Sequence, residues 1–345
     1  MKPNIFEIST KELTQDGFIT WLLKWADPSN KTYDEKLNQC AIDFVKYLIL
    51  DQYNESIEII KVEADRQWEN VDIWADVNEK YFIIIEDKTY TNEHSDQLEK
   101  YKKISLDWCK ENNRKLVCVY LKTGTEAKTS LKIIEGKGFV IVGRNDLISF
   151  FNKYQIKNDI FNDFVLKLLN LEKAEKAFET KVIKDWDWNC WTGFYNYMDS
   201  VLDISDWKYV ANHSGGFLGI WWHFNEWKKF YVYLQIEQGN LCFKIGEVYK
   251  NHQKARDEWY NILMKKASEK KRVEIKKPSR FGSGTYMTVA RVERRHWLGN
   301  DDDIIEKDNI IKKLKEYEKF LDYCLEMNLR RASPAVSFNL HALPW

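Results

Sequence analysis

The sequence predicts an α/β domain, with a mixed sheet flanked by helices, followed by a second domain of the α+β class. The first observation is the order of hydrophobic patterns, which gives helix, mostly antiparallel meander, helix and returning strand. The second is the length of 345 residues, which suits about two domains. The third is a tryptophan-rich composition that begins soon after residue 180. We therefore expect domains over residues 1–180 and 181–345.

The first domain should open with two helices, over residues 9–25 and about 35–50. In the first of these, apolar side chains recur on one helical face, and Ser9 or Thr10 is available as the N-cap. Strands are expected at 57–64, 71–77, 81–86, 116–121 and 138–142. The turn between the second and third strands is short enough for a hairpin. Further helices are expected at 95–111, 145–154 and 159–179.

The second domain should combine an antiparallel arrangement of strands with two helices. Strands are expected at 216–224, 230–236, 241–247, 272–276 and 286–293. One helix is expected at 251–266, and a final helix carries apolar residues from Ile310 to Leu325 on one face. The crowded tryptophans most often indicate core packing, and a stacking platform for a modified base is the alternative.

Composition limits the classes of function. The apolar share of 44% and the charged share of 31% are typical of a globular protein. The 53 basic residues balance the 53 acidic residues, so net charge gives no argument for nucleic-acid binding. The six cysteines have no zinc-site spacing, so we expect reduced core residues. Without a membrane span or a signal-peptide pattern, we expect a cytoplasmic protein.

A constellation of three residues carries the chemistry. Asp72 begins one predicted strand, and Glu86 and Lys88 lie two residues apart at the end of the next, so the latter two share a face of the sheet. A hairpin would bring all three together. Phosphodiester hydrolysis needs oxygen ligands for Mg²⁺, an activated water and positive charge near the phosphate, which two carboxylates and a lysine supply. Charged strand ends are also common as ion-paired surface groups, and a Glu-x-Lys pair alone is a weak motif.

Residues Asp72 to Lys88 resemble the D-x(n)-ExK core of the PD-(D/E)XK nuclease superfamily. Gln97 and Tyr101 follow on the next predicted helix, where the exonuclease branch of that superfamily carries a QxxxY motif. Residues 10–23 also resemble the start of a largely uncharacterised bacterial family within the superfamily. Together these features cover about the first half of the chain. The resemblance implies a restriction-endonuclease-like core for the first domain.

The resemblance also implies roles for individual residues. Asp72 and Glu86 would bind Mg²⁺, for which Mn²⁺ would substitute, and the backbone carbonyl of Asp87 would add a ligand. Lys88 would position the water or neutralise charge in the transition state. An acidic residue of the first helix usually completes the metal shell, and Asp16 or Glu12 could supply it, with Asp16 preferred. Either could instead be a first-turn charge that complements the helix dipole.

Gln97 and Tyr101 lie four residues apart, on one face of their predicted helix. Gln97 could donate to a phosphate oxygen, and Tyr101 could stack on a base or bond a phosphate. An ordinary helix surface with a half-buried tyrosine is the alternative.

The leading interpretation is a Mg²⁺-dependent nuclease that hydrolyses DNA, with the second domain in substrate binding or regulation. An RNA nuclease, and a non-catalytic module that binds nucleic acid or protein, are the alternatives. A basic run from Lys265 to Arg295 with nearby aromatics could form a nucleic-acid-binding face or a solvated, ion-paired surface. Oligomeric state, a protein partner and the mode of cleavage stay open.

Overall fold

The structure is a computed structural model that describes residues 3–89, 96–211, 215–237 and 239–326. The chain divides into two compact units, and the boundary lies between Ala174 and Glu175. We call them unit 1 and unit 2. No helix within the described ranges has the length and apolar character needed to cross a membrane.

Unit 1 opens with helices α1 (Ile5–Ile8), α2 (Glu12–Trp25) and α3 (Glu35–Tyr53). The prediction of Ser9 or Thr10 as the N-cap of the long helix was wrong. Ser9 is instead the C-cap of α1, and its hydroxyl forms a hydrogen bond of 2.5 Å with the hydroxyl of Thr14. Helix α3 is capped as its sequence allows, since the Asp34 carboxylate accepts from two backbone N–H groups of the first turn.

The sheet of unit 1 has five strands: β1 (Val62–Trp68), β2 (Val71–Val77), β3 (Tyr81–Lys88), β4 (Lys115–Lys122) and β5 (Val140–Gly143). Their spatial order is also their chain order. The β1/β2 and β2/β3 pairs are antiparallel, whereas β3/β4 and β4/β5 are parallel. The predicted mixed sheet flanked by helices is therefore confirmed.

The first strand begins later than the sequence pattern predicted. The Asn78 side chain accepts from the backbone N–H groups of Ile60 and Lys61 and donates to the carbonyl of Glu58. Residues before Val62 are thus bonded to the β2–β3 turn and not to a neighbouring strand. The turn itself places Asn78 and Glu79 in the left-handed region, which suits a short hairpin connection.

Helices cover both faces of this sheet. They include α4 (Gln97–Glu111), α5 (Lys128–Gly136), α6 (Arg144–Phe151) and α7 (Asp159–Lys176). One core joins Ile83 and Ile85 of β3 to α2, α3, α6 and α7, and the other joins Phe82 and Ile84 to α4 and α5. Every residue of β3 is consequently buried. Helix α5 was not predicted, and Ile134 is its only buried residue.

Unit 2 contains α8 (Trp188–Val201), β6 (Ile204–Val210), β7 (Phe217–Trp227), β8 (Phe230–Glu237), β9 (Asn240–Gly246), α9 (His252–Glu269), β10 (Met287–Val292) and α10 (Lys307–Leu325). Its five strands form an antiparallel sheet in the order β10-β9-β8-β7-β6. Helix α8 and strand β6 were not predicted. The expected strand at 272–276 is reduced to one bridge, between Lys276 and Arg291.

The aromatic residues of unit 2 are mainly core, as the more common interpretation of the tryptophan cluster expected. Trp222, Trp227 and Trp259 are buried, and the rings of Trp227 and Trp259 lie 5.1 Å apart between β7 and α9. Trp188 is an exception and is 47% exposed. The six cysteines are all buried and free, in agreement with their expected role as reduced core residues.

Candidate active site

The polar cluster of unit 1 lies where β2 begins and β3 ends. Ile73 pairs with Ile85 across the two strands, so Asp72 and Glu86 come next in the register. Lys88 follows two residues later on the same face of β3. The sequence-predicted hairpin thus brings the three residues together, and β4 runs parallel on the other side with Lys122 paired to Lys88.

The Lys88 ammonium lies among three oxygen atoms. Its Nζ is 2.6 Å from Glu86 Oε1, 3.4 Å from Asp72 Oδ2 and 3.2 Å from the carbonyl oxygen of Asp87. Burial alone would lower the pKa of Lys88, but the charges of Glu86 and Asp72 outweigh it and raise that pKa. The lysine therefore stays protonated at neutral pH.

Glu86 is almost completely buried. Its Oε1 accepts from both Lys88 and Gln97, whereas its Oε2 has no hydrogen-bond partner in the described part of the chain. Burial, followed by the nearby charge of Asp72, raises the pKa of Glu86 to about 7. A buried carboxylate oxygen without a partner is costly, which indicates that a proton or a cation belongs there.

Gln97 and Tyr101 meet through the helical spacing that the sequence predicted. Gln97 Nε2 donates to Glu86 Oε1 at 2.9 Å and to the Tyr101 hydroxyl oxygen at 2.8 Å. Burial raises the pKa of Tyr101, so its hydroxyl remains a donor. Ser95, where the helix was expected to begin, lies outside the described residues, and α4 starts at Gln97. Both side chains are thus tied to Glu86.

Asp87 points its side chain to the opposite face of β3, toward α2. Its carboxyl group faces that of Asp16, and the two can hydrogen-bond only if one carries a proton. Burial raises the pKa of Asp16 to about 6, and burial together with Asp16 raises the pKa of Asp87 well above its usual range. Asp16 therefore contacts Asp87, and its role as a metal ligand stays a prediction.

Glu12, the alternative to Asp16, lies nearer the end of β3. Its Oε1 accepts from the backbone N–H of Thr89 at 2.9 Å, and its charge acts on Lys88. Helix α2 thus places both carboxylates at the end of β3. The completion of a metal shell by one of them stays a prediction.

Gln15 is a central residue of the site that sequence reasoning missed. Its Nε2 donates to Asp87 Oδ1 at 2.5 Å, while its Oε1 accepts from Thr123 Oγ1 at 2.9 Å and from Lys167 Nζ at 3.0 Å. Gln15 is fully buried. The Gln15 amide thus connects α2 to β3, to Thr123 directly after β4, and to α7. These contacts hold in place the end of β3, which carries Glu86 and Lys88.

A second buried lysine, Lys122, was also missed. It ends β4 beside Lys88 and forms an ion pair with Glu126 at 3.4 Å. Burial lowers its pKa despite the opposing effect of Glu126. The sequence contained a signal that could have identified Lys122. Like Lys88, it is a charged residue at the end of an apolar strand.

Gly124 packs directly against the end of β3. A Cβ at this position would overlap the carbonyl oxygen of Thr89, which is a backbone atom that cannot turn aside. We expect Gly124→Ala to lower the free energy of unfolding by about 1–3 kcal/mol and to impair the site by displacing β3 from β4. Urea unfolding measures this. Gly136→Ala is the control, because nothing lies within 4 Å of its added Cβ, and equal loss in both variants would contradict the packing argument.

The donor atoms fit a hard divalent cation. Asp72 and Glu86 offer carboxylate oxygens and Asp87 a main-chain carbonyl, the ligand types that Mg²⁺ prefers. The unpartnered Oε2 of Glu86 is one such donor. Within the ranges that the structure describes, no group of three or more His, Cys, Asp or Glu side chains is arranged to hold a metal. A metal here would therefore depend on the carbonyl and on water as well as on the two carboxylates.

Comparison with protein families gives one match to this region. A family model described as the PD-(D/E)XK nuclease superfamily matches residues 3–162. The matched range contains Asp16, Asp72, Glu86, Lys88 and Gln97 and ends within α7. Comparison with curated proteins and with solved structures gives no match.

Proposed function

We propose that this protein is a Mg²⁺-dependent nuclease that hydrolyses DNA, because residues 3–162 match the family model of the PD-(D/E)XK nuclease superfamily, whose members are generally nucleases that use divalent metals. The observation that carries the proposal is the convergence of Asp72, Glu86 and Lys88 at one strand end, with one buried oxygen of Glu86 unpartnered. Mn²⁺ is expected to substitute for Mg²⁺.

Each residue of the cluster has a task in phosphodiester hydrolysis. Asp72, Glu86 and the Asp87 carbonyl would hold the cation, which would acidify the attacking water and offset phosphate charge. Lys88 is protonated, so it would orient that water through a hydrogen bond and stabilise negative charge that develops on the phosphate. Gln97 donates a hydrogen bond to the Glu86 carboxylate. This bond would keep the carboxylate oriented when Lys88 leaves it to contact the substrate.

The test is a cleavage assay on linear, circular and single-stranded DNA and on RNA, with Mg²⁺, Mn²⁺ or EDTA. We expect metal-dependent cutting of DNA, and loss of circular DNA would assign endonuclease activity. Cutting of RNA alone would favour an RNA nuclease. A folded protein that binds nucleic acid but cuts none of these substrates would instead be a non-catalytic binding module.

Asp72→Asn should lower the cleavage rate at least about 100-fold, because the neutral amide binds a divalent cation poorly. The amide oxygen can still accept from the Asp87 N–H, so the strand pairing should survive. Asp76→Asn is the matched control, since Asp76 lies on the same face of β2 but pairs with Arg114 at 3.0 Å. Equal activity of the two variants would argue against a metal-binding role for Asp72.

A further inference from the structure

Several basic residues of the Lys265–Arg295 run have an acidic partner. Lys266 pairs with Glu269, Arg272 with Glu274, and both Lys276 and Arg295 with Glu293. The ion-paired interpretation of this run is therefore correct for these four residues. They are poor anchors for an external anion, because the anion would have to compete with a carboxylate already in place.

Three other exposed cations of unit 2 lie near the glycine-rich loop at 280–285. Lys254 on α9 lines one cleft with Ser283 of the loop, Lys277 stands over the Phe281 ring, and Arg280 is the first residue of the loop. None of the three has an ion-pair partner among the residues that the structure describes. We call them, with the rings of Tyr260 and Phe281, the basic–aromatic patch. Because the whole chain has no net charge, this local excess is not a consequence of a generally basic composition.

Two cations, Lys277 of the patch and Arg256, contact the ring of Phe281. The Arg256 guanidinium lies 4.4 Å from the centre of the Phe281 ring, and Lys277 Nζ lies 4.7 Å from the same centre. Tyr260 meets Phe281 edge-on, with ring centres 5.3 Å apart. Since two cations already stand over Phe281, the patch is better suited to phosphates than to a stacked base.

A shallow, open cleft adjoins the patch. It has a volume of about 550 Å³ and is lined by Asn251, His252, Gln253, Lys254, Asp257 and Ser283. The loop is held beside α9 because Arg256 donates to the carbonyl of Gly282 at 2.9 Å. Gly282 and Gly284 have open space around them, so a ligand can approach their backbone. Asp257 would oppose an anion, but its carboxylate is bonded to Arg256 at 2.8 Å.

We propose that the basic–aromatic patch and its cleft bind the sugar–phosphate backbone of a nucleic-acid strand. This inference rests on the proposed function, because it assigns to unit 2 the holding of the substrate that unit 1 would cut. Unpaired exposed cations beside an accessible glycine backbone and a serine hydroxyl are the groups that contact phosphates without reading sequence. Binding should therefore be strong at low salt and indifferent to base sequence.

The test measures binding of fluorescent DNA and RNA oligonucleotides by anisotropy, with EDTA present so that no cleavage occurs. The variant Lys254→Glu/Lys277→Glu/Arg280→Glu should bind about 10–100-fold more weakly, and the slope of log Kd against log salt should fall by about 2–3. The control Lys312→Glu/Lys313→Glu/Lys315→Glu changes the net charge equally on α10. It should bind within about 3-fold of the wild type.

Several results would overturn the proposal. They are absent binding by the wild type, an unchanged affinity in the patch variant, and an equal loss in both triple variants. A labelled nucleoside monophosphate that binds as tightly as the oligonucleotide would assign the cleft to a small phosphate ligand instead. If the triple variant fails to fold, Lys254→Gln and Arg280→Gln should each lower the slope by about 1. Because binding is measured with EDTA and cleavage is measured separately with metal, a failed cleavage assay and a failed patch remain distinguishable.

Discussion

Replacing Lys88 by alanine should lower the cleavage rate by about 10²–10⁴-fold while the protein remains folded and still binds Mn²⁺. Lys88 is the protonated group placed between the carboxylates of Asp72 and Glu86, 2.6 Å from the latter. Alanine removes the charge that would stabilise the transition state, but it removes no metal donor. The measurements are single-turnover cleavage and a Mn²⁺ titration.

Lys244→Ala is the matched control for this substitution. Lys244 is also a buried strand lysine, and its Nζ lies 2.7 Å from Glu237 in unit 2. Both variants delete a buried ion pair, so both should lose stability, but only Lys88→Ala should lose cleavage. Cleavage by Lys88→Ala at the wild-type rate would remove Lys88 from the mechanism. A loss of Mn²⁺ binding equal to the loss of rate would assign it a structural role at the metal site.

The groups that sequence reasoning found are those linked by local geometry. The hairpin joins Asp72 to Glu86 across a three-residue turn, and one helical turn joins Gln97 to Tyr101. Both relations follow from the periodicity of a strand or a helix. The contact between Gln97 and Glu86 could not be predicted from periodicity alone. The sequence between β3 and α4 has no hydrophobic pattern that fixes where the helix begins.

Gln15 could not be found in this way. Its partners Asp87, Thr123 and Lys167 lie 72, 108 and 152 positions along the chain. Their meeting depends on how α2 and α7 pack against the sheet, and hydrophobic periodicity shows only which face of a helix is buried. A buried glutamine on α2 also looks like an interruption of its apolar face.

The missed elements of the fold have similar causes. Helix α5 has little buried surface of its own, and α8 begins in a tryptophan-rich segment whose apolar residues crowd most of the helix. The strand at 272–276 was over-predicted because alternation of polar and apolar residues cannot tell a strand from a single bridge. By contrast, β2 alternates over its length and β3 is apolar from Tyr81 to Ile85, and their positions were predicted within two residues.

The stability of the metal-free protein should fall as pH rises from about 4.5 to about 7. The pKa of Glu86 is about 7 in the folded protein, against an ordinary value of 4.5, because of burial and then the charge of Asp72. Over this range the folded protein keeps a proton that the unfolded chain releases, so the free energy of unfolding decreases with pH. Asp16, with a pKa raised to about 6, acts in the same direction.

Glu86→Gln should make this decline shallower, because the amide does not titrate. It should also weaken Mn²⁺ binding at least about 10-fold and abolish measurable cleavage, since the buried donor oxygen is lost. In the wild type, Mn²⁺ competes with the proton on Glu86, so it should restore stability most strongly above pH 7. Urea unfolding from pH 5 to 8, with Mn²⁺ or with EDTA, measures both effects in one series.

Glu63→Gln controls for the loss of a carboxylate, because Glu63 is an exposed residue of β1 that pairs with Lys61 at 2.8 Å. It should leave the pH slope, the Mn²⁺ response and cleavage unchanged. An unaltered pH slope in Glu86→Gln would mean that Glu86 is ionised throughout, and that the proton of the site belongs to the Asp16 and Asp87 pair. If Mn²⁺ stabilises Glu86→Gln as strongly as it stabilises the wild type, the metal binds away from β3. The buried carboxylate oxygen of Glu86 would then not be needed as a ligand.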